Sequence, residues 1–451
     1  MPQDQFVYTE FRVSNDRRTV DFEYRTEHGN ERYTFVESYT FPVALKDTPE
    51  QQRALRALHL AAGVSYYKKF LPTRIVHPYA MDETEAAFWN DVWQNGLGEF
   101  LYVNKLPVER VAKFAAQAGT RYNGESGGTA EGALLGIGGG KDSIVAGELL
   151  KKLDVPVTGF VLATGEQVGQ AAAVAKTMGV ELQVVERRLD EQLISLKNHP
   201  DSYSGHVPIS MLFGLTGTAL AIALDKAHVV VANEASASIP RVTWQERAIN
   251  HQWSKSFRFE QSLQRFIQTS VAAQVTYFSA IRPLTSIGVA KLFAKMPDYY
   301  EVFTSDNFVF RIDPSGRPVG RWGLESPKSL SSYLLLAPWL TDEEVRRIFE
   351  IDFLNEPSLE KLFLELTGVE GEPPLDCVGT VEELVLSVNL LAETGRYHDT
   401  HLMRVAMERG VIHQNDWQAK LAALLALQPD EALPAELREG LMAELREGVS
   451  V

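Results

Sequence analysis

Hydrophobic and polar residues alternate along the first 45 positions of the chain. Residues 19–24 read Thr-Val-Asp-Phe-Glu-Tyr, and residues 33–41 read Tyr-Thr-Phe-Val-Glu-Ser-Tyr-Thr-Phe. A period of two places the apolar side chains on one face of a strand. The sequence His-Gly-Asn-Glu at residues 28–31 is typical of a hairpin turn. The pattern therefore predicts an antiparallel β-hairpin near the start of the fold.

The spacing of apolar residues then changes to one residue in every three or four. This period predicts helices at residues 48–70, 82–95 and 107–118. A glycine-rich stretch follows over residues 124–132, and such a composition is typical of a linker. We therefore predict an N-terminal α+β domain over residues 1–124.

Short apolar runs and helical segments alternate through the middle of the chain. Strands are predicted at residues 133–137, 155–163, 181–189 and 228–232. Helices are predicted at residues 141–150, 168–178 and 210–224. This alternation is typical of a parallel sheet, so we predict an α/β domain over residues 125–320. From about residue 327 the sequence is acidic and typical of helices. Residues 321–451 are therefore predicted to be mainly helical.

The first of these strands leads into Gly138, Gly139 and Gly140, and Lys141-Asp-Ser follows at the start of a helix. Consecutive glycines before a helix N-terminus let backbone N–H groups approach an anion. A Walker A loop would need glycine at position 135, and a dinucleotide-binding loop would need glycine at position 141. The segment instead resembles the pyrophosphate loop (PP-loop) of the ATP pyrophosphatases, Ser-Gly-Gly-x-Asp-Ser. That resemblance implies cleavage of ATP between its α and β phosphates.

Composition narrows the classes of function. The chain of 451 residues has a formal net charge of −15, so a broad basic surface for nucleic acid is not expected. The single cysteine, Cys377, allows neither an intrachain disulfide nor a cysteine-based zinc site. No signal sequence and no apolar run of about 18 residues stand out. We expect a cytoplasmic enzyme without a nucleic-acid or membrane partner.

Polar residues follow the predicted strands at the points where these strands end. Thr164-Gly-Glu follows one strand, and Asn233-Glu-Ala-Ser follows another. Ligands of open parallel sheets bind at the carboxyl ends of the strands. Residues 205–208 and 250–260 are also polar and interleaved with aromatic residues. These segments predict a ligand site beside the glycine loop.

The glycine loop belongs to a wider set of motifs. The others are residues 63–68, 205–208, 233–236, 250–256 and 376–379. Together they resemble the UDP-N-acetylmuramoyl-L-alanyl-L-glutamate epimerases of the MurL type, over most of the chain. The resemblance implies an enzyme that uses ATP and Mg²⁺ to invert the terminal L-Glu of UDP-MurNAc-L-Ala-L-Glu to D-Glu for peptidoglycan synthesis.

One segment departs from the pattern of that family. The resemblance implies a sequence of the type Trp-Cys-Gly-x-Cys-Pro-Lys-Cys, whereas residues 322–329 read Trp-Gly-Leu-Glu-Ser-Pro-Lys-Ser. The proline and the lysine are kept, and every cysteine is absent. Metal binding or redox chemistry by those cysteines is therefore not expected in this chain.

Residue types and the resemblance together assign candidate roles. ATP is expected to contact Gly138, Gly139, Gly140, Lys141, Asp142, Ser143, Thr164 and Glu166. Asp142 is also the candidate ligand of Mg²⁺, which prefers oxygen ligands. The candidates for catalysis are Cys377, His251, His206 and Glu234 for proton transfer and Lys141 for charge stabilisation. The candidate substrate contacts are Tyr66, Lys68, Asn233, Asn250, Ser254, Lys255 and Arg258.

The chemistry explains why an epimerase would carry an ATP loop. Removal of the α-proton beside an ionised carboxylate would place two negative charges side by side, and a positioned base supplies only about 10²- to 10⁴-fold. Adenylation of the carboxylate removes its charge first. A base can then take the proton, the proton returns on the other face, and water releases AMP.

Two other functions agree with parts of the sequence. An adenylating amidotransferase or ligase would transfer ammonia or an amine to the activated carboxylate. A nucleotide-binding regulatory protein would have lost catalysis. A tRNA-thiolating enzyme is disfavoured by the acidic charge and the lack of paired cysteines. The sequence leaves open the oligomeric state, the direction of epimerisation and the identity of the base.

Overall fold

The computed structural model describes residues 4–117, 130–165, 168–306, 320–412, 416–428 and 430–450. Its strands are β1 (Gln5–Val13), β2 (Thr19–His28), β3 (Glu31–Thr40), β4 (Arg74–Val76), β5 (Ala133–Gly136), β6 (Val157–Ala163), β7 (Leu182–Arg188), β8 (His228–Val231), β9 (Val242–Trp244), β10 (Arg247–Ile249) and β11 (Thr276–Ser279). Its α-helices are α1 (Pro49–Ala62), α2 (Val64–Tyr67), α3 (Glu83–Gly96), α4 (Gly98–Val103), α5 (Lys141–Lys152), α6 (Gly169–Met178), α7 (Gln192–Ser195), α8 (Ile209–Ala223), α9 (Phe257–Phe266), α10 (Ser286–Phe293), α11 (Pro327–Leu336), α12 (Asp342–Ile348), α13 (Glu360–Leu366), α14 (Val381–Glu393), α15 (His401–Glu408), α16 (Trp417–Leu425) and α17 (Ala435–Val449).

A nine-stranded sheet has the order β11-β8-β5-β6-β7-β3-β2-β1-β4. The strands from β11 to β7 are parallel to one another. β3 pairs antiparallel with β7 and with β2, and β2 pairs antiparallel with β1. The predicted α/β class and the predicted N-terminal hairpin are therefore confirmed. β9 and β10 form a separate two-stranded hairpin.

A buried charge pair lies where the antiparallel strands join the parallel ones. Arg187 of β7 donates from Nε to Oε1 of Glu37 of β3 at 2.7 Å, and it also donates to the hydroxyl of Ser65 at 3.3 Å. The N-terminal strands thus extend the sheet that carries the glycine loop. The domain boundary predicted at residue 124 lies outside the described residues, so the division into domains stays a prediction.

Helices cover both faces of the large sheet. Leu134 and Leu135 are neighbours in β5, and they point to opposite faces because side chains alternate along a strand. Leu134 belongs to a core that includes residues of α1, α3, α8 and α9. Leu135 belongs to a second core, formed with α5, α6, α10 and most of the helices after residue 320. The predicted helical character of the C-terminal region is confirmed by α11 to α17.

Local signals in the sequence account for several helix ends. The Thr48 side chain accepts a hydrogen bond from the backbone N–H of Gln51, which caps α1. Asp82 caps α3 in the same way by accepting from Glu85. Gly179 ends α6 with a φ of 73°, a conformation that glycine adopts without strain. No described helix is both long enough and apolar enough to span a bilayer.

The prediction of a helix over residues 107–118 is wrong. The described part of this segment has one short 3₁₀ turn, Val108–Arg110, and continues without helix to residue 117. Its backbone bonds to neighbouring side chains instead: Ala112 N–H donates to the Tyr67 hydroxyl at 2.6 Å, and Phe114 N–H donates to Asn90 Oδ1 at 2.7 Å. These tertiary hydrogen bonds replace the ones that a helix would have made.

Candidate active site

The glycine loop connects β5 to α5 at the carboxyl edge of the parallel strands. Gly139 has a φ of 87°, and a Cβ there would lie 2.5 Å from Gln170 Cγ, so only glycine fits without strain. Gly140 is the N-cap of α5 and has no side-chain cap. No described residue accepts a hydrogen bond from the N–H groups of residues 138–143. This row of donors fits the predicted phosphate role, which stays a prediction.

The charged residues that follow the loop are packed together. The buried Lys141 donates from Nζ to Asp142 Oδ1 at 2.5 Å. Burial opposes the charge of Lys141, but Asp142 and Glu234 outweigh it and raise the pKa of this ammonium group. Glu234 follows β8 and accepts a hydrogen bond from the Ser286 hydroxyl at 3.2 Å. Asp142 is partly exposed beside the row of donors, where a carboxylate suits Mg²⁺ bound with phosphate.

Cys377 lies in the loop between α13 and α14, and two residues that precede α9 face it. Lys255 Nζ lies 3.6 Å from Cys377 Sγ. Burial alone would raise the pKa of the thiol, but the Lys255 charge and a hydrogen bond from His251 lower it to about 7. Burial likewise opposes the charge of His251, yet its hydrogen bonds to Cys377 and Glu99 raise its pKa to about 9. Between these two values the pair is a thiolate beside an imidazolium.

Glu99, in the first turn of α4, lies between two histidines. One carboxylate oxygen contacts Nδ1 of His251 and lies 3.6 Å from Nδ1 of His206. Burial lowers the pKa of His206 to about 4, so His251 alone of the two is protonated near pH 7. Glu99, His251 and Cys377 thus form a carboxylate–imidazole–thiol chain, an order that orients and charges the imidazole in many nucleophilic sites.

Two sets of three residues, both including His251, have the spacing of a metal site. The ligand atoms of Glu99, His206 and His251 all lie within 4.8 Å of one another, as do those of His251, Asp376 and Cys377. Imidazole and carboxylate ligands suit divalent transition metals. The described residues that could hold such an ion therefore include three candidates for proton transfer, His206, His251 and Cys377.

Further cations border the thiol. Lys328 Nζ lies 3.7 Å from Asp376 Oδ1, and the Lys328 charge contributes to the low pKa of Cys377. Arg241 donates to the carbonyl groups of Val378 and Gly379, which fixes the backbone just after Cys377. The positive charge around Cys377 suits the carboxylate of an acidic substrate.

Lys255 connects this cluster to the glycine loop. Its pKa is raised first by the charge of Cys377 and further by those of Glu234 and Asp142. The charges of the thiol, of Glu234 and of Asp142 therefore all act on one ammonium group. Lys255 thus connects candidates for proton transfer, Cys377 and Glu234, with one candidate for nucleotide binding, Asp142.

Other predicted substrate contacts border the cluster or support it. Lys68 donates to the carbonyl of Gly205, and burial lowers its pKa to about 8. Asn250 holds its own loop, because Nδ2 donates to Ala237 O at 2.8 Å and Oδ1 accepts from Gln252 N–H at 2.7 Å. Two further predicted residues, Asn233 and Ser254, are buried.

Three predicted residues lie outside the cluster, and a fourth is not among the described residues. Tyr66 is fully buried, with its ring 5.0 Å from that of Tyr24, and its hydroxyl accepts from Asp190 N–H at 3.2 Å. Arg258 is exposed and pairs with Asp91 of α3. Thr164 is exposed at the end of β6, and Glu166 lies outside the described residues.

The segment that lacks the expected cysteines is held by hydrogen bonds. Trp322 Nε1 donates to Ile348 O at 2.8 Å. The buried Ser329 hydroxyl donates to Asp306 Oδ2 at 2.6 Å and accepts from Gly323 N–H at 3.1 Å. A serine at this position therefore supports the segment from which Lys328 reaches Asp376.

Sequence analysis missed Glu99, Lys328 and Arg241 as parts of the cluster. Glu99 lies in a short helix more than a hundred positions from both histidines, and no local pattern marks it. For Lys328 the sequence did contain an indication, because the Pro-Lys pair of the expected pattern is kept at residues 327–328. Arg241 acts through backbone carbonyl groups, which no sequence motif reveals.

The chain is similar to known proteins over most of its length. The family model of the MurL N-terminal domain matches residues 2–280, and that of the MurL C-terminal domain matches residues 302–422. Curated relatives named UDP-N-acetyl-alpha-D-muramoyl-L-alanyl-L-glutamate epimerase are similar to the chain. The relative from Micromonospora sp. is 31% identical over 92% of this chain and 92% of its own length. Those from Salinispora tropica and Xanthomonas oryzae pv. oryzae are 31% and 32% identical, over 88% and 86% of this chain and 86% and 85% of their own lengths. The chain therefore belongs to the MurL family of UDP-N-acetyl-alpha-D-muramoyl-L-alanyl-L-glutamate epimerases.

Proposed function

We propose that this protein is an isomerase that inverts the terminal glutamate of UDP-MurNAc-L-Ala-L-Glu in peptidoglycan precursor synthesis, with ATP and Mg²⁺ as co-reactants. The names of its relatives support the substrate and the inversion. The observation that supports ATP is the row of N–H groups at residues 138–143 without described acceptors. Lys255, which lies beside Cys377, connects this loop to the thiol, because the charge of Asp142 contributes to the raised pKa of Lys255. A carboxylate bound between the two could meet a nucleotide on one side and a base on the other.

ATP supplies activation of the substrate carboxylate. A carboxylate oxygen attacks the α phosphorus, pyrophosphate leaves, and the resulting mixed anhydride no longer carries the carboxylate charge. The N–H groups of residues 138–143 would hold the phosphates. Lys141 and Lys255 would offset the negative charge that develops there.

The thiolate of Cys377 is the proposed base for the α-proton. The pKa of this thiol is about 7. Near neutral pH a large fraction of it is therefore thiolate, and the thiolate is still basic enough to take up a proton. His251 keeps the thiol ionised, and Glu99 fixes the orientation of His251. A second proton, delivered by solvent from the opposite face of the α-carbon, completes the inversion, and the Cys377 thiol loses the abstracted proton to solvent. Water then cleaves the anhydride to give AMP and the carboxylate.

The test is an incubation of the protein with ATP, Mg²⁺ and UDP-MurNAc-L-Ala-L-Glu in D₂O. AMP, pyrophosphate, and the configuration and deuterium content of the terminal residue are measured. D-Glu with deuterium at the α-carbon, formed together with AMP, is the expected result. A Cys377→Ala variant should lose deuterium incorporation.

Two other outcomes would redirect the proposal. AMP formation without inversion would favour an adenylating ligase or amidotransferase. Inversion at the full rate without ATP would remove the adenylation step and leave the epimerase activity.

A further inference from the structure

Lys328 is a cation beside the thiol that the mechanism above does not use. Its Nζ lies 3.7 Å from Asp376 Oδ1, which is too long for a hydrogen bond, and Nζ forms no hydrogen bond with a described residue. The same oxygen of Asp376 already accepts a hydrogen bond from Cys377 N–H at 2.7 Å. Asp376 therefore offsets part of the charge of Lys328 but leaves the three N–H donors of the ammonium group without an acceptor among the described residues.

This ammonium group is accessible to a ligand and is held in place. The Lys328 side chain is 12% exposed, and its Nζ is in contact with solvent. The next residue, Ser329, is fixed because its hydroxyl joins Asp306 to the backbone of Gly323. A mostly buried ammonium group without hydrogen bonds is unfavourable, and a carboxylate would supply strong, charge-assisted ones.

The position of Lys328 in its helix also favours an anion. Lys328 lies in the first turn of α11, and no acidic residue occupies that turn. The N-terminus of a helix carries partial positive charge, so a lysine is disfavoured there and a carboxylate is favoured. The helix backbone and the Lys328 side chain thus both offer positive charge in the same place, and a bound carboxylate would offset both.

The terminal glutamate of the substrate has two carboxylates, and the cluster offers an ammonium group for each. Lys255 suits the α-carboxylate, which must reach ATP, because the charge of Asp142 in the glycine loop acts on Lys255. The side-chain carboxylate keeps its charge after adenylation and needs another cation. Lys328 is a second ammonium group whose charge acts on Cys377. A substrate with its α-proton at the sulfur would present its two carboxylates to these two lysines.

We propose that Lys328 binds the side-chain carboxylate of the terminal glutamate and so makes the protein select glutamate over glutamine at that position. This assignment rests on the proposed function for the identity of the substrate. A carboxylate accepts charge-assisted hydrogen bonds from an ammonium group, whereas the amide of glutamine is neutral and half of it is a donor. Lys328 is thereby a specificity-determining residue, while Cys377 and His251 keep their roles in proton transfer.

The test compares UDP-MurNAc-L-Ala-L-Glu with UDP-MurNAc-L-Ala-L-Gln. Calorimetry without ATP measures binding, and kcat/KM with ATP and Mg²⁺ measures inversion. We expect the unmodified protein to prefer the glutamate compound about tenfold or more in both measurements. Lys328→Met should reduce this preference to about twofold or less, mainly by weakening binding of the glutamate compound, whereas Lys328→Arg should keep it. Lys361→Met is the control, because Lys361 is an exposed lysine that likewise pairs with one carboxylate, Glu365, at 3.6 Å.

The comparison also separates selectivity from the effect of Lys328 on the thiol. If Lys328 acted only by favouring ionisation of Cys377, Lys328→Met would slow inversion of both compounds by the same factor and leave the preference unchanged, which would overturn the assignment. Equal binding of the two compounds by the unmodified protein would overturn it as well. If Lys328→Met does not fold, Lys328→Gln takes its place, because it keeps a polar end group.

Failure of the assignment and failure of the proposed function give different results. Inversion of glutamate with a preference that Lys328→Met leaves intact would overturn the assignment and keep the proposed function. A preference in binding that is lost in Lys328→Met, in a protein that inverts neither compound, would support the carboxylate site and contradict the proposed function.

Discussion

Lys255 Nζ lies 3.6 Å from the sulfur of Cys377, and the charge of each group favours ionisation of the other. The thiol is thereby ionised near neutral pH although it is partly buried. Without this ammonium group, burial would favour the neutral thiol. The pair is therefore the point at which the acid–base chemistry can be tested most directly.

The first prediction is a bell-shaped dependence of kcat/KM on pH. The active form needs the Cys377 thiolate, which is gained as pH rises through about 7, and the His251 imidazolium, which is lost as pH rises through about 9. A Lys255→Gln variant should move the acidic limb to higher pH by about one unit or more, because an opposite charge is removed. Lys361→Gln, at an exposed lysine of α13, is the control. An acidic limb that does not move would show that Cys377 does not set it.

The second prediction concerns Glu99 as a positioning residue. Glu99→Gln removes a charge that raises the pKa of His251, so the alkaline limb should move to lower pH. We expect kcat to fall about tenfold or more because the imidazole is less well oriented. Glu360→Gln changes a similar pair, in which His401 Nε2 lies 3.0 Å from Glu360, and should leave the profile unchanged. A fall in kcat with no shift of the alkaline limb would leave Glu99 with a purely structural role.

The third prediction separates ligand approach from backbone strain in the glycine loop. Gly139→Ala and Gly179→Ala both place a Cβ at positive φ, so each should lower the free energy of unfolding by about 1–2 kcal/mol. Gly139→Ala also meets Gln170 and lies in the row of backbone donors, so it alone should abolish pyrophosphate release. Urea unfolding and a pyrophosphate assay measure the two effects. Equal pyrophosphate release by both variants would contradict a phosphate role for the loop.

The fourth prediction tests the segment at residues 322–329, where cysteines were expected from the resemblance. Ser329→Ala removes the hydroxyl that joins Asp306 to the Gly323 backbone, and we expect a loss of about 1–3 kcal/mol in unfolding free energy. Ser332 is buried in the same helix, and its hydroxyl forms no hydrogen bond with a described residue, so Ser332→Ala is the control. If the denaturant unfolding curves of the two variants coincide, Ser329 does not have this bridging role.

The fifth prediction concerns the buried pair between β3 and β7. Arg187→Met leaves the Glu37 carboxylate buried without its cation, which should cost about 3–5 kcal/mol. The double variant Arg187→Met, Glu37→Leu should recover most of this loss because no unpaired charge remains. Unfolding free energies from urea titration test both statements. A double variant no more stable than the single one would mean that the pair itself is needed for strand pairing.

Local pattern was sufficient for much of the fold. The alternation over residues 19–41 predicted β2 and β3, and the change to a helical period at residue 48 predicted α1. The antiparallel pairing of β3 with β7 was not predictable in this way, because it joins segments about 150 residues apart. The helix wrongly predicted over residues 107–118 failed for a similar reason: its backbone bonds to side chains of α2 and α3.

The candidate site was also predictable only in part from the sequence. The glycine loop was visible as a contiguous motif, and Cys377 and His251 were visible by residue type. Their environments were not visible, since Glu99, Arg241 and Lys328 reach the site from three distant segments. The pKa of a thiol depends on those neighbours, so the sequence could name Cys377 without predicting that it is ionised at neutral pH.

The pairing of β3 with β7 also limits how the protein can move. The strands that carry the glycine loop and the strands of the N-terminal region belong to one hydrogen-bonded sheet, closed by the Arg187–Glu37 pair. A hinge between these two regions would have to break that ladder and separate a buried ion pair. If the protein closes over its substrate, the movement should therefore lie in the connections at the carboxyl edge or in the helices after residue 320, while the sheet acts as a fixed frame.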